Sequence, residues 1–348
     1  MSILNKQFQL NLTSFAIYLY PIFLIFSPFL SNLVIGLVGF YGLINIKSIN
    51  FKILFRNQFV ILFLLFWIYV SLRSLFSEYL FFSLKSSVLF VKYILFLFGF
   101  ILVIKNKSNF LKNFTKILLI LYFIVIFDAL IQFFLGTNLI GYSAAEIENN
   151  RISGFFGDEL ILGSFIARLT FLLIALLLIS KIKIDKKYII FIIILSFITA
   201  LISGERTALA LNIISIIFYF ILTNSIGIKF KFSILIIIAS VFLGSIQYSE
   251  KINHRMEMTI RDLSSSKNFL MFTEGHGNHF QTAINLFKDN KIFGQGANMF
   301  RKKCGEEKFL VKPYGCSTHP HNMYLQLLAE TGLIGFVFLF FLFSKICI

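Results

Sequence analysis

Two histidines stand immediately before the last apolar stretch of the chain, in the sequence Ser-Thr-His-Pro-His-Asn that begins at Ser317. A helix that only crossed a bilayer would need neither of them. Pro320 suits a first helical turn, where its missing N–H costs nothing, and this would put His321 at a helix N-terminus. The positive end of the helix dipole disfavours imidazolium there, so His321 should stay neutral and able to accept a proton. The alternative is a polar cap that anchors the helix, with Tyr324 at the membrane interface.

Two arginines could bind phosphate oxygens, because a guanidinium presents a fork of donors and keeps its charge. Arg206 lies in the sequence Ser-Gly-Glu-Arg between two apolar runs, and Arg151 precedes the sequence Ile-Ser-Gly-Phe-Phe-Gly-Asp. A charge within or beside a membrane is a functional candidate by default. The alternatives are that Arg206 reaches toward lipid phosphates and that Arg151 pairs with Asp158.

Other polar residues near these positions have weaker functional signals. His276 and His279 have helical spacing, but no carboxylate or cysteine at a recognisable ligand spacing completes a metal site with them. Glu330 lies inside the last apolar stretch, where a carboxyl group must be paired or neutral. Gly332 and Gly335 in the same stretch would let another helix approach closely.

The elements that must position these residues are predicted to be membrane helices. The 348-residue sequence is 58% hydrophobic and 14% charged, which is more apolar surface than a soluble domain could bury. Apolar runs of about 20 residues indicate an all-α polytopic membrane protein with about ten spans. The spans lie near 13–29, 31–46, 58–75, 87–104, 117–135, 159–180, 188–203, 207–223, 232–247 and 322–344. The first two could instead form one long span that is kinked at Ser27-Pro28.

Basic residues predict the orientation of the chain. One set of short segments between spans holds 15 lysines and arginines and the alternate set holds four, so both termini should be cytoplasmic. The formal net charge of +16 then reflects topology and anionic lipids rather than nucleic acid. The predicted organisation is 1–247 with nine spans, an outer loop at 248–320, and a histidine-bearing last span at 321–348.

The outer loop should be at least partly folded. An apolar face at helical spacing runs from Phe280 through Ala283 and Ile284 to Phe287. Cys304 and Cys316 lie in the same loop and are expected to form a disulfide, since the outer compartment is oxidising. Two free thiols are the alternative.

These residues resemble the O-antigen ligase and polymerase superfamily of bacterial inner-membrane glycosyltransferases. His321-Asn322, nine residues and then Gly-Leu-Ile-Gly reproduce the ligases' His-[Asn/Ser/Gln]-x9-Gly-x-x-Gly pattern. The turn at 203–208, the Arg151 segment, and the sequence at 283–300 are similar to further elements of the family, although Lys291 stands where a proline is usual. The resemblance covers 151–340. The family often has an outer-loop arginine near the place of His276, so here that second cation is either missing or supplied by Arg255 or Arg261.

The resemblance implies transfer of a glycan from undecaprenyl pyrophosphate to an acceptor hydroxyl in the synthesis of lipopolysaccharide or another surface polysaccharide. The reaction would need no metal or other cofactor and would invert the anomeric configuration. His321 and Arg206 would be catalytic. Residues that would bind pyrophosphate or glycan are Arg151, His319, His276 and Asn322.

The resemblance leaves the acceptor open. The spacing of the histidine and the glycines favours an O-antigen ligase that acts on lipid A-core, while a polymerase and a protein O-oligosaccharyltransferase are alternatives. A flippase of lipid-linked sugars is a different class, but transporters usually carry their charges near the midplane and show internal repeats. The expected partners are the lipid-linked donor, the acceptor and membrane lipids, in the bacterial inner membrane.

Overall fold

A computed structural model describes residues 3–48, 56–144, 151–182, 184–223, 227–265 and 274–347. Within these ranges the fold is all-α, as the composition predicted. The helices are α1 (Ile3–Phe26), α2 (Pro28–Ile44), α3 (Gln58–Leu75), α4 (Leu80–Val88), α5 (Val91–Asn106), α6 (Phe110–Leu135), α7 (Leu162–Ile179), α8 (Lys186–Ile202), α9 (Arg206–Leu222), α10 (Ile228–Tyr248), α11 (Glu250–Ser265), α12 (Glu274–Asp289), α13 (Phe300–Lys303) and α14 (Met323–Cys347).

The helices account for the predicted spans. Each of the ten apolar stretches falls on helix, the fourth on the stretch Leu80–Asn106 that contains α4 and α5. Among the described residues, seven helical stretches are long and apolar enough to cross a membrane, and Pro28–Ile44 and Arg206–Leu222 are apolar but shorter. The chain is therefore a polytopic membrane protein by length and composition of its helices.

The first two predicted spans are separate helices rather than one kinked helix. α1 ends at Phe26 and α2 begins at Pro28, which has no N–H with which to continue α1. The Oγ of Ser27 accepts a hydrogen bond from the N–H of Leu30 at 3.3 Å, as an N-cap residue does.

The chain divides into two compact units. The first contains Met1–Leu37 and Val103–Ile260, and its core lies where α7 packs against α6, α8 and α9. Tyr122 is fully buried in this core, where its hydroxyl donates to the carbonyl of Ile192 at 2.7 Å and accepts from the hydroxyl of Thr170 at 3.2 Å. These bonds satisfy a buried phenol that would otherwise destabilise an apolar interior.

The second unit contains Val38–Leu102 and Arg261–Ile348. In it, α14 packs against α3, α12 and α13. α12 contains the apolar face expected in the outer loop, and Ala283 and Leu286 of this helix are fully buried with Phe300 and Phe309. Part of the 248–320 segment therefore folds, whereas residues 266–273 lie outside the described ranges.

A covalent link also joins two parts of the segment 248–320. A disulfide joins Cys304 to Cys316, whose Cα atoms are 5.0 Å apart. Cys304 is fully buried beside α12, whereas Cys316 is exposed. The link holds the chain that leads to His319 and His321 against the folded part of the segment.

Candidate functional site

In the first unit, two of the predicted arginines are associated with one turn, between α8 and α9. Gly204 forms this turn with a left-handed φ of +69°, and Arg206 is the first residue of α9. A Cβ atom on Gly204 would lie 3.6 Å from the Cγ of Arg151 and 3.9 Å from the Cγ of Arg255. The Nε of Arg255 donates to the carbonyl of Gly204 at 3.1 Å. Arg255 therefore joins Arg151 and Arg206 at the turn, whereas Arg261 is not among these contacts.

Glu205 holds this turn in place, a role that was not predicted. It is 7% exposed, and its carboxylate accepts hydrogen bonds from the N–H of Gly163 at 2.6 Å, the N–H of Ser164 at 3.2 Å and the hydroxyl of Ser164 at 2.5 Å. These donors belong to the first turn of α7, where a carboxylate is favoured by the free N–H groups and the helix dipole. The carboxylate of Glu205 thus satisfies free N–H groups at the start of α7 and fixes the start of α9.

Buried amides of α6 and the following loop fix the segment after Arg151. The Oε1 of Gln132 accepts from the N–H groups of Ser153 at 3.0 Å and Gly154 at 2.7 Å. The Nδ2 of Asn138 donates to the carbonyl of Gly154 at 2.9 Å. Gln132 is a polar residue inside an apolar run, which is a local signal, but the partners in this network are 16 to 22 positions away in sequence.

The alternative role of Arg151 as the partner of Asp158 has no support in the geometry. Asp158 is exposed, and in the described part of the chain no ion pair joins it to Arg151. The backbone that carries Arg151 is instead held by α6 and the loop after it.

In the second unit, four histidines form a cluster with His321 at its centre. The centroid of the His321 ring is 4.4 Å from that of His319, 5.1 Å from that of His279 and 5.3 Å from that of His276. The predicted residues His276, His319 and His321 are therefore brought together, and His279 is an additional member. In the described ranges no three histidine, cysteine or acidic side chains are arranged to hold a metal ion.

Asn322, not Pro320, starts the last helix. Its Oδ1 accepts hydrogen bonds from the N–H groups of Tyr324 at 3.0 Å and Leu325 at 3.1 Å, which makes it the N-cap of α14. The prediction that Pro320 lies in the first helical turn was wrong, since α14 begins at Met323. His321 precedes the cap with a left-handed φ of +54°. This uncommon conformation turns the chain between Pro320 and α14.

The surroundings of His321 favour its neutral form. The pKa of His321 is lowered to about 4, first by partial burial of the imidazole and then by charge repulsion from the neighbouring His319, His276 and His279. The sequence predicted a neutral imidazole from the helix dipole, whereas desolvation and the other histidines are the causes in the structure. His321 is thus able to accept a proton at neutral pH.

The glycine pattern after His321 marks a break in α14. Gly332 has φ +65° and ψ −166°, which interrupts the helix. The N–H groups of Gln295 and Gly296 donate to the carbonyls of Ala329 and Glu330 at 2.9 and 2.8 Å. On the other side of the break, the N–H groups of Leu333 and Ile334 donate to the carbonyls of Lys291 and Ile292 at 2.9 and 3.3 Å. The loop 291–296 therefore replaces the helical bonds that are lost at the break.

Gly332 thus has a different role from the one predicted. The sequence suggested that it admits another helix, but a loop makes the close approach. A Cβ atom on Gly332 would overlap the carbonyl oxygen of Ile292, and one on Gly294 would lie 2.5 Å from the carbonyl oxygen of Glu330. Both glycines are needed because two backbones meet here without room for side chains.

The side chain of Glu330 completes this junction. It is 9% exposed, and its carboxyl oxygens accept hydrogen bonds from the N–H groups of Asn298 at 2.8 Å and Phe300 at 3.3 Å and from the amide of Gln326 at 3.2 Å. Glu330 is therefore a structural partner of the segment that leads into α13.

Two side chains of α3 hold the junction from the other side, and neither was identified from the sequence. The hydroxyl of Tyr69 donates to the carbonyl of Thr331 at 2.7 Å. The guanidinium of Arg73 donates to the carbonyl of Gly294 from Nε at 3.0 Å and from Nη2 at 2.6 Å. α3 thereby supports both the break and the loop that fills it.

Comparison with known proteins agrees with the sequence motifs. Residues 191–340 match the family model that is described as O-antigen ligase, and this confirms the resemblance to the O-antigen ligase and polymerase superfamily. The match begins within α8 and includes Arg206, Arg255 and the four clustered histidines, but not Arg151. No curated protein matches the chain.

Replacement of Gly294 by alanine tests the junction. The added Cβ would collide with the backbone of Glu330, and the φ of +71° disfavours any L side chain. We expect a loss of about 1–3 kcal/mol of stability, measured by thermal unfolding in detergent. Gly275→Ala is the matched control, since a Cβ there meets nothing within 4 Å. Equal unfolding temperatures for the two variants would contradict the packing described.

The low pKa of His321 predicts a pH effect on stability. Its pKa is about 4 in the folded protein and 6.5 in an unperturbed histidine. The unfolded chain takes up the proton more readily, so stability contributed above pH 6.5 is lost as the pH falls toward 4. The unfolding temperature of His321→Gln should therefore depend less on pH between 6.5 and 4 than that of the wild type. Substitution of His254, which is exposed, is the control, and parallel curves for wild type and His321→Gln would refute the assignment.

Proposed function

We propose that this chain, which carries an O-antigen ligase domain over residues 191–340, is a membrane glycosyltransferase that uses undecaprenyl pyrophosphate-linked glycan as donor. The observation that carries the proposal is the cluster of four histidines around a neutral His321, which directly precedes the broken helix. The proposed setting is the bacterial inner membrane, with both termini cytoplasmic and segment 248–320 periplasmic.

The donor pyrophosphate is assigned to the arginines of the first unit. Arg206 and Arg151 are the predicted ligands, and Arg255 is added because it contacts the same turn. Guanidinium groups bind phosphate oxygens in a bidentate manner and keep their charge at every relevant pH. Their positions are supported by Glu205 and Gln132, which anchor the backbone on which Arg206 and Arg151 stand.

The acceptor hydroxyl is assigned to His321. A ring nitrogen accepts the hydroxyl proton while the hydroxyl oxygen bonds to the anomeric carbon of the donor sugar. The bond from this carbon to the phosphate oxygen breaks, and undecaprenyl pyrophosphate leaves with the electron pair. Attack from the face opposite the leaving group inverts the anomeric configuration.

Positive charge for the leaving group can come from the arginines themselves, because a guanidinium keeps its charge and stabilises oxygens on which negative charge develops. The donor is already activated, so no nucleotide cofactor is needed. We therefore expect turnover to persist in EDTA. His319 and His276 flank His321 and are assigned to the substrate glycan. Asn322 caps α14 with its Oδ1 and has only its amide N–H groups for the substrate.

A transporter of lipid-linked sugars is the competing class. Movement of a lipid-linked sugar across a membrane forms no bond to an acceptor hydroxyl and therefore needs no general base beside one. The histidine cluster therefore favours an enzyme. Within the superfamily, the spacing of His321 and Gly332 favours a ligase onto lipid A-core over a polymerase or a protein O-oligosaccharyltransferase.

Substitution of the two central residues tests the mechanism. His321→Ala should lower the turnover rate by about 10²–10⁴-fold, because the general base is lost. Arg206→Lys should be nearly as inactive as Arg206→Ala, since an ammonium cannot reproduce the bidentate fork. Purified variants would be assayed with lipid-linked donor and acceptor.

Two exposed residues provide matched controls, His254→Ala for the histidine and Arg168→Lys for the arginine. Both should retain activity, and unfolding temperatures would establish that the inactive variants are folded. Near wild-type turnover in folded His321→Ala would refute the mechanism.

Deletion of the gene separates the two main activities. Without a ligase, lipid A-core should remain bare while polymerised glycan accumulates on the lipid carrier. Without a polymerase, cores should instead carry a single repeat unit. Glycolipid profiles by mass spectrometry would decide, and singly capped cores would replace the ligase assignment by a polymerase.

A further inference from the structure

A groove of about 480 Å³ lies beside the C-terminal end of α3, within the second unit. Residues lining it are Tyr69, Leu72, Arg73, Phe76, Asn290 and Phe293. Its volume is within the range of about 300–1,000 Å³ that is usual for small-molecule sites. Most of the wall is apolar, yet Phe76 is 81% exposed and Leu72 is 55% exposed. The groove is therefore an open apolar surface with one cation in its wall.

That cation, Arg73, has hydrogen-bonding capacity beyond its contacts with the protein. Its bonds to the carbonyls of Phe293 and Gly294 use Nε and Nη2, and Nη1 takes no part in them. Carbonyl oxygens are neutral acceptors, so these bonds leave the positive charge uncompensated. In the described ranges no carboxylate forms an ion pair with Arg73, and none lines the groove.

The location of the groove on α3 indicates that it faces the membrane lipid. α3 is one of the helices long and apolar enough to cross a membrane, and Arg73 lies in its last turn. The end of such a helix lies near the headgroup region, where an arginine reaches lipid phosphates. Apolar walls beside a guanidinium match an acyl chain beside a phosphate.

We propose that the groove binds a net-anionic phospholipid such as phosphatidylglycerol, separately from the substrates of the transferase. The phosphate oxygens accept hydrogen bonds from the free edge of Arg73, and one acyl chain lies against Leu72, Phe76 and Phe293. An ethanolamine headgroup is disfavoured, because its ammonium would find no acid in the groove and would add positive charge beside Arg73.

The bound lipid would also stabilise the helix break. Arg73 holds the carbonyls of Phe293 and Gly294, and the same loop donates and accepts the hydrogen bonds that bridge the break at Gly332. A phosphate that fixes the guanidinium therefore fixes this loop, so lipid binding should raise the unfolding temperature.

Direct lipid binding tests the proposal without reference to transferase activity. Full-length protein, purified in detergent and stripped of lipid, would be titrated with phosphatidylglycerol and followed by native mass spectrometry and thermal unfolding. Phe76→Glu places a carboxylate in the groove and should weaken binding by about 10–100-fold, as expected for loss of a charged hydrogen bond. Phe81→Glu is the matched control, because Phe81 is 85% exposed and lies outside the groove.

Arg73→Gln is a second variant that should no longer bind phosphatidylglycerol more tightly than phosphatidylethanolamine. Its unfolding temperature without lipid shows whether the loop 291–296 is intact. Two further probes determine the class of lipid. Phosphatidylethanolamine should bind more weakly than phosphatidylglycerol, and undecaprenyl phosphate should not compete. Equal binding by Phe76→Glu and Phe81→Glu, equal binding of the two phospholipids, or displacement by undecaprenyl phosphate would each overturn the proposal.

Discussion

A helix that is interrupted inside a membrane-spanning segment must find new partners for its backbone groups, because the hydrocarbon core offers none. This constraint governs the second unit. At Gly332 the carbonyls of Ala329 and Glu330 lose their helical donors, and the N–H groups of Leu333 and Ile334 lose their acceptors. The loop 291–296 replaces these bonds one for one. Gly294 and Gly332 let the loop and the helix come close enough for these bonds. Glu330 binds the residues that follow the loop, and Tyr69 and Arg73 of α3 donate hydrogen bonds to the carbonyls of Thr331 and Gly294.

The first unit also uses a buried glutamate to bind backbone N–H groups. The turn between α8 and α9 carries Arg206 and is fixed by Glu205, whose carboxylate accepts the N–H groups that begin α7. In both units a buried glutamate therefore binds backbone N–H groups at a helix start or a loop. Glu205 and Glu330 act as structural acceptors, whereas the proposed chemistry is assigned to arginines and histidines.

The histidine cluster shows how neighbours tune a single group. One imidazole before a helix would titrate near neutral pH, and would be partly charged where a proton acceptor is needed. Partial burial and three neighbouring imidazoles keep His321 neutral well below that pH. The disulfide between Cys304 and Cys316 holds the chain that supplies two of the four rings.

Much of the fold and part of the candidate site follow from local sequence. Apolar runs marked the helices, because a membrane leaves the backbone few alternatives, and the apolar face at Phe280 to Phe287 marked α12. His321 and Arg206 were identified because polar residues in or beside apolar runs are costly and so informative. Glu205 is also a charged residue beside apolar runs, but the sequence did not indicate its bond to Gly163, since 42 positions separate the two residues.

By itself, the sequence determined the class of protein, the positions of the helices and the residues that could act on a phosphate or a hydroxyl. Periodicity and hydropathy are local properties, and membrane helices satisfy their hydrogen bonds locally. Only the tertiary structure decided that Gly332 breaks its helix for a loop, that Asn322 and not Pro320 begins α14, and that Arg73 and Arg255 belong beside these sites. The roles of Gly332, Arg73 and Arg255 each depend on a backbone group or side chain meeting a partner far away in sequence, and such pairings are set by packing rather than by pattern. The cap at Asn322 is local, but the left-handed φ of His321 before it is not indicated by residue type.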